Sequence, residues 1–406
     1  MAVARLESSQ QYLTGAARAV IPRTQRQSNP PAWRSHLARN TLTSHLDHQA
    51  TPLKAFSELA EATSINILDP LTDSRWFNLT AKHPNASVFH QSGWLRALAE
   101  TYGYEPLVLT TGGPNEQLKD GIVLCRLNSW LSGNRLVSLP FSDHCDPLLD
   151  GSETAQDFMN FLRGYTERLR YVEVRPLFPI YSPSIGLEPA GSFCFHELDL
   201  GPSLNQIFGR MHANSYRRKI RRAERESLSY ESGRSTRLLS DFYRLLIKTR
   251  RRHGLIPQPF RWFKNLVKHV KDELQIRLVR KDGKPIAAML TLRHASRVVY
   301  KYGCSDEAHH HRGGMPFLFW KFIEESKESG AASIDLGRSD LDNPGLILFK
   351  DRLGASRRTL TYYRYTNPDR RPATSSWNVR GALALFANLP DVFLSAAGRL
   401  FYKHLG

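Results

Sequence analysis

Cysteine is scarce in this chain. Four thiols, Cys125, Cys145, Cys194 and Cys304, serve 406 residues. None stand in a Cys-x-x-Cys pair and their spacings fit no zinc module. Neither a zinc scaffold nor a disulfide framework is indicated, and free thiols in a reducing compartment are expected. Long apolar runs are missing too. A spanning helix needs about 18 or more apolar residues, and the nearest approach, "GALALFANLPDVFLSAAGRLFYKHLG", is interrupted by Asn388, Pro390, Asp391 and Arg399. That segment is expected to lie at most on a surface, of protein or membrane. The opening "MAVARLESSQQYLTG" has no apolar stretch of the signal-peptide kind. A cytoplasmic place is expected, with peripheral contact at the inner face of the membrane as an option. Acidic residues are outnumbered, 38 against 56 Lys and Arg, for a net charge of +18. Such a surface concentrates nucleic acid, anionic lipid or phosphorylated small molecules without choosing among them.

What remains is enough to fold. With 41% apolar and 23% charged residues the chain reads as globular, and its length suggests two domains. Residues 1–52, rich in Arg, Ser, Thr, Gln and Pro, read as a disordered basic leader. Beyond them one order of elements occurs twice. In the first half, "SVFHQSGWLRALAETYG" places Trp94, Leu95 and Leu98 at helical spacing behind Ser92 as N-cap. The strands "EPLVLTT", "KDGIVLCRL" and "NRLVSLPFSD" follow, with Asp120-Gly121 as a turn signal. Next come a helix with Phe158, Leu162 and Tyr165 on one stripe and the strand "YVEVRPL". The second half gives three strands from Leu274 to Asp306 around a Lys281-Asp282-Gly283 turn, a helix over 315–328 closed by Gly330, and the strand "ASIDLG". An α/β fold with mixed sheets and helices on both faces is expected, as two similar domains over 53–200 and 201–368. A tail with an amphipathic helix is expected over 369–406.

"HANSYRRKIRRAERES" predicts a basic helix capped by Asn214 or Ser215. Tyr216, Ile220, Ala223 and Ser227 share one face; Arg218, Arg221, Arg222 and Arg225 fall opposite. Guanidinium forks match phosphate, and a row of them suits a polyphosphate or an RNA backbone. The bland alternative is a solvated face relieved by Glu224 and Glu226.

"YKYGCSDEAHHHRGGMPFLFWKF" runs from a strand into a helix. His309, His310 and His311 are consecutive, so they point apart and make a poor ligand set. "SDHCD" (142–146) also lacks a second ligand cluster, and no structural metal is expected. The better reading is a phosphate cradle: Arg312, Gly313 and Gly314 precede a helix N-terminus, with Pro316 suited to its first position.

This order resembles the GNAT acyltransferase superfamily, in which the corresponding loop holds the pyrophosphate of acyl-CoA; "HHHRGGM" is a reduced version of its pattern. The wider stretch resembles the Fem-type aminoacyltransferases, which have two tandem GNAT-like domains. The motifs are "YKYGCSD" (300–306), "IDLGRSD" (334–340), "NPGLILFKDRLGA" (343–355), "RRHGLIPQP" (251–259) and "NSYRRKIRRAE", joined in the first half by "VSLPFSDHCDPLLD". The resemblance covers roughly residues 70–365. It implies two tandem GNAT-like domains and acyl transfer to an amine, with acyl-CoA or aminoacyl-tRNA as co-substrate and no bound cofactor. The acceptor would be a cell-envelope precursor or polysaccharide. Lys350 matches the family's Phe-Lys lysine and would stabilise the oxyanion or leaving group. Arg338 would orient an acidic substrate, Tyr302 and Asp306 would lie near the donor, and Asp143 would be the base. Structural roles compete at each position: Arg338 pairing with Asp335 or Asp340, and Tyr300 and Tyr302, which strand alternation puts on one face, with at least one of them in the core. The other function class is a GNAT-like pair without catalysis that holds RNA or anionic membrane through its arginines.

Overall fold

The computed structural model describes residues 65–366, apart from 131, 132, 150, 166–168 and 180–185, together with 398 and 400–404. The expected leader and nearly all of the expected tail lie outside the described residues. The first half runs β1 (Asn66–Leu68), α1 (Ser74–Lys82), α2 (Ser92–Tyr102), β2 (Glu105–Thr110), β3 (Ile122–Leu127), β4 (Arg135–Val137), α3 (Ser152–Tyr165), β5 (Tyr171–Val174) and β6 (Glu188–Asp199). The second runs α4 (Leu204–Arg210), α5 (Arg218–Arg225), β7 (Ser229–Gly233), α6 (Thr236–Arg252), α7 (Phe260–Val270), β8 (Leu274–Lys281), β9 (Lys284–His294), β10 (Arg297–Ser305), α8 (Gly314–Glu328), β11 (Ser333–Asp340), α9 (Pro344–Arg352) and β12 (Ser356–Tyr365).

These strands form one mixed sheet in the order β1-β2-β3-β4-β5-β12-β6-β11-β10-β9-β8-β7. Exchanging each strand with the one six places along reverses that order, so the halves are related by a pseudo-twofold axis between β12 and β6. The duplicated order of elements is therefore present, but built as a single sheet with its last strands exchanged. β6 pairs with β11 and β12, and β12 pairs with β5 and β6, all antiparallel. Each half also holds a short parallel ladder of the same register: Val137 faces Glu173 in β4–β5, and Val299 faces Asp335 in β10–β11. An acid closes each ladder, and beyond it the two strands part. The β10 strand continues to Ser305, so the second half opens a fork.

One core is common to both halves. Trp94 and Leu98 of α2 pack with Trp262 and Leu266 of α7, the indoles of Trp94 and Trp262 meeting edge-on at 5.1 Å. Gly93 permits that approach, because a Cβ there would lie 2.6 Å from the His269 carbonyl oxygen. On the other face α8 packs Leu318, Phe322 and Ile323 with Ile220 and Ala223 of α5.

Three local expectations are corrected. Asp282 and Gly283 do form a two-residue hairpin turn with φ of 50° and 74°, but Asp120-Gly121 does not. Asp120 is buried and its carboxylate accepts from Thr111 N at 2.9 Å and from the Thr110 hydroxyl at 3.1 Å, closing the β2–β3 loop. Ser92 is the first residue of α2 rather than its cap, which is Gln91. Tyr300 and Tyr302 do not share a face. The register shifts between them, so Lys301 is the extra residue of a β-bulge. Tyr300 packs on Phe319, whereas Tyr302 packs on Phe263 and accepts a hydrogen bond from Trp262 Nε1 at 2.9 Å.

Gly93→Ala should lower the unfolding free energy by about 1–3 kcal/mol, the usual cost of overpacking against backbone. Urea titration followed by tryptophan fluorescence measures it.

Candidate active site

The fork between β10 and β11 is filled by a segment of the first half. After β4 the chain takes left-handed conformations at Leu139 and Phe141, φ 60° and 62°, a costly backbone for bulky side chains. The turn carries "SDHCD" inward. Lys301 Nζ lies 3.1 Å from Asp143 Oδ2, with the two side chains 2% and 3% exposed. His144 Nε2 lies 2.7 Å from Asp335 Oδ2, while Asp335 Oδ1 accepts from Gly337 N at 2.6 Å. Asp146 Oδ2 lies 3.8 Å from His144 Nδ1, and its other oxygen accepts from Leu177 N at 2.7 Å. Burial opposes protonation of His144, but the charge and hydrogen bond of Asp335, with the charge of Asp146, outweigh it and raise the imidazole pKa. Burial likewise opposes ionisation of Asp335, yet His144 and the Gly337 N–H hold that carboxyl below its usual range. Lys301 is lowered by burial despite Asp143.

Lys350 stands on α9, capped by the Asn343 side chain with Pro344 at its start. That helix has no counterpart in the first half among the described residues. Lys350 is 2% exposed, and its ammonium donates to the Gly337 and Arg338 carbonyls at 3.0 and 3.1 Å, where β11 bulges away from β6. Burial pushes its pKa down to about 8 against the pull of Asp143 and Asp335. Arg338 is buried with its guanidinium 3.9 Å from the centre of the Phe193 ring and 5.2 Å from that of Tyr362. Tyr362 in turn donates to the Asp143 carbonyl at 2.5 Å. The structure thus brings Asp143, Arg338 and Lys350 into one region. Tyr302 lies in the aromatic core instead. Asp306 caps the 3-10 turn Glu307–Arg312 and pairs with Lys248 at 2.6 Å.

Sequence reading missed four of the residues assembled here. Lys301 and His144 sat inside quoted motifs but gave no sign of meeting Asp143 and Asp335. Cys194 and His196 stand two apart on β6, hence on one face, and His196 Nε2 lies 3.1 Å from Asp351 Oδ1 of α9. The signal was the string "FCFHELD", a Cys-x-His in a strand. Burial, then the charge of Lys350, pushes His196 down to about 4.

The two sequence-predicted phosphate elements lie side by side, although of the turn only His311 lines the groove between them. A π-turn, Ala213–Arg217, leads into α5; its cap is His212, which accepts from Ser215 N at 3.2 Å, rather than Asn214 or Ser215. Tyr216, Ile220 and Ala223 are buried as expected, whereas Ser227 lies past the helix and is exposed. Arg218, Lys219, Arg222 and Arg225 line a groove of about 480 Å³ with Asn214, Glu226 and His311. Arg221 lies over the Phe208 ring instead, at 5.9 Å. Gly313, at φ 78°, is where α5 meets the turn, since a Cβ there would lie 2.5 Å from the Lys219 carbonyl oxygen. Arg312 pairs with Glu226 at 2.5 Å, which also binds Arg222 at 2.8 Å. Gly314 begins α8, so Pro316 is its third residue and not its first. The Tyr216 hydroxyl donates to the Phe349 carbonyl at 3.1 Å, tying the groove's helix to the one that carries Lys350.

Residues 210–343 match the family model described as an acetyltransferase (GNAT) domain. Among solved structures, FemX is similar with a TM-score of 0.60 at 12% identity, over 75% of this chain and 98% of that one. The C-terminal domain of a putative lysylphosphatidylglycerol synthetase from Agrobacterium fabrum is similar with a TM-score of 0.51 at 16% identity, over 74% and 93%. A search of curated proteins returns no match. The second half therefore carries a GNAT acetyltransferase-type domain, and the fold over three quarters of the chain is like that of FemX.

Lys301→Met should destabilise the protein by about 3–5 kcal/mol, because it strands a buried carboxylate. Lys301→Met with Asp143→Leu should recover most of that loss. Equal losses in the single and double variants, read by chemical denaturation, would mean the pair is not coupled.

Proposed function

We propose that this chain is an acyltransferase that moves an acyl or aminoacyl group from acyl-CoA or aminoacyl-tRNA to an amine on a cell-envelope precursor or glycan. The observation that carries this reading is a buried lysine at the parting strands of a GNAT domain: Lys350, held on the Gly337 and Arg338 carbonyls. The acceptor ammonium, with a pKa of about 10 in water, must lose a proton before attack. Asp143, hydrogen-bonded to Lys301, is the proposed base. The tetrahedral oxyanion then needs a fixed donor, and Lys350 supplies it by turning one N–H from a backbone carbonyl to the oxyanion. Arg338 is proposed to fix an acidic group of the acceptor. Arg218, Arg222 and Arg225 are proposed to hold phosphates, of the donor or of a nucleotide- or lipid-linked acceptor, with Arg312, Gly313 and Gly314 shaping the floor. The envelope acceptor is in keeping with the Agrobacterium fabrum neighbour, whose name denotes joining lysine to phosphatidylglycerol. Among the described residues no helix is long and apolar enough to cross a membrane.

Lys350→Met should lower kcat by about 10²–10³, the usual cost of an oxyanion donor, with an unchanged circular dichroism spectrum. In the parent chain, kcat at saturating acceptor should fall as pH rises through about 8, because the ammonium is the donating form and is lost above its pKa. That limb should be absent from the variant; a retained limb or retained rate removes Lys350 from the reaction.

Combined Arg218→Ala, Arg222→Ala and Arg225→Ala should raise the KM of the phosphate-bearing substrate and flatten its salt dependence, leaving kcat within about twofold. Thermal-shift titration with acetyl-CoA and with aminoacyl-tRNA then identifies the donor by which of them raises the melting temperature.

A further inference from the structure

The arginine groove beside α5 already holds an anion of its own. Glu226 lines it together with Arg218, Lys219, Arg222 and Arg225. Its carboxylate accepts from Arg222 Nε at 2.8 Å and from Arg312, on the turn before α8, at 2.5 Å. One carboxylate thus joins guanidiniums from both of the elements that the sequence marked for phosphate. The helix itself does not favour an acid at this place. Glu226 is the C-cap of α5, where the negative end of the helix dipole repels a carboxylate. The Arg222–Glu226 pair is spaced i,i+4 with the cation nearer the N-terminus, the weaker of the two orders. Hydrogen bonds from Arg222 and then Arg312 nonetheless hold the carboxyl below its usual range, so it is ionised at neutral pH. The backbone of Glu226 is fixed separately. Its N–H donates to the Arg222 carbonyl at 3.0 Å, and its carbonyl accepts from Lys281 Nζ at 2.8 Å. The side chain, 20% exposed, is therefore free to turn to water without moving the helix, and Arg312 is 30% exposed. Arg218 donates to Asn214 Oδ1 at 3.3 Å and, like Arg225, makes no ion pair among the described residues.

We propose that Glu226 is a built-in competitor for the groove's phosphate ligand: it fills the place between Arg222 and Arg312 that a phosphate group takes on binding, and it swings out when the phosphate arrives. The proposal rests on the phosphate-binding reading of the groove and adds a residue that sets which ligands win it. At the Arg222–Arg312 position one anion replaces another, so the exchange by itself gains little. A ligand holds the groove only when it brings further negative charge, which Arg218 and Arg225 receive without giving up an ion pair. The competitor thus turns away small anions of single charge and admits polyanions. It also keeps two forks of a strongly basic chain from trapping stray anions. No covalent bond forms or breaks, and Glu226 returns to its two arginines when the ligand leaves.

The test is isothermal titration calorimetry of the full chain with inorganic pyrophosphate at low ionic strength. Glu226→Gln keeps the length of the side chain and removes its charge. It should tighten pyrophosphate by about three- to tenfold, the effect of removing one like charge about 4–6 Å from a bound anion in water. Its melting temperature should stay within about 3 °C of the parent, because exposed ion pairs add little stability. Glu100→Gln changes the net charge equally. Glu100 is bound by Lys268 and His269 on the opposite face of the sheet, and that variant should bind pyrophosphate as the parent does. Arg222→Ala should weaken binding more in the Glu226→Gln background than in the parent, because only there is Arg222 unoccupied before the ligand arrives. A merely structural Glu226 would give no such coupling. Unchanged or weaker binding in Glu226→Gln overturns the proposal, as does equal tightening in Glu100→Gln. The reading beneath it is tested apart. If combined Arg218→Ala, Arg222→Ala and Arg225→Ala binds pyrophosphate like the parent, the phosphate groove falls and the competitor with it. If that variant loses pyrophosphate while Glu226→Gln matches the parent, the groove stands and the competitor alone is removed.

Discussion

β6 and β12 lie side by side at the middle of the sheet, each hydrogen-bonded to the other and to a strand from the opposite half. Without this exchange each half would end in a strand with an open edge, and two open edges in one chain invite faulty pairing. With it, the outer edges among the described residues are the short strands β1 and β7. The exchange also sets where chemistry can occur. It draws the chain after β4 towards the fork of the second half, and it lays the Cys194–His196 face of β6 beneath α9. Neither half contains a complete set of the charged residues described here. Asp143 and His144 come from one, Lys301, Asp335 and Lys350 from the other.

The pseudo-twofold is strict in the sheet and broken where function is expected. Glu173 and Asp335 occupy equivalent ladder positions, but Glu173 is paired with Arg175 and Arg364, whereas Asp335 binds His144. Among the described residues α9 is present in the second half alone, and it brings both Lys350 and Asp351. Duplication supplies a wide, stable frame, and divergence between the copies can then place unlike groups at one junction.

Much of this was readable beforehand because it is local. Helical spacing located Trp94, Leu98, Phe158 and Leu162 on buried stripes, and Asp282-Gly283 announced a hairpin by its need for positive φ. The tandem repeat was visible as an order of elements. What could not be read was anything decided by long-range register. A one-residue bulge at Lys301 separates Tyr300 from Tyr302, reversing the inference from strand alternation. Pairing of His144 with Asp335 spans 191 positions. Asp120 looked like a turn residue because Asp-Gly usually is one, yet its carboxylate is used to close a loop. The exchange of β6 and β12 leaves no mark on either strand, since both compositions suit any interior antiparallel place.

The charged cluster also bears on why such residues are retained. Taking Asp143, Lys301, His144, Asp335 and Lys350 out of water costs several kcal/mol per ion, and apolar side chains of similar volume often do as well or better for stability. Mutual attraction repays that cost only where the geometry is excellent and further hydrogen bonds satisfy the remaining lone pairs and protons. Stability alone therefore does not explain five ionisable groups in a space that leucines could fill. Two explanations remain: the pairs fix the register of one half on the other, or they hold charge ready for a reaction. The register role accounts for Lys301–Asp143 and His144–Asp335, which each join the two halves. It accounts less well for Lys350, whose ammonium donates its hydrogen bonds to two backbone carbonyls of its own half and reaches across the halves only through the charge of Asp143. A methionine would pack that position without the desolvation cost. An amine held there with its pKa brought near 8 is poised to exchange its hydrogen bonds for a stronger acceptor, and a transient oxyanion is such an acceptor.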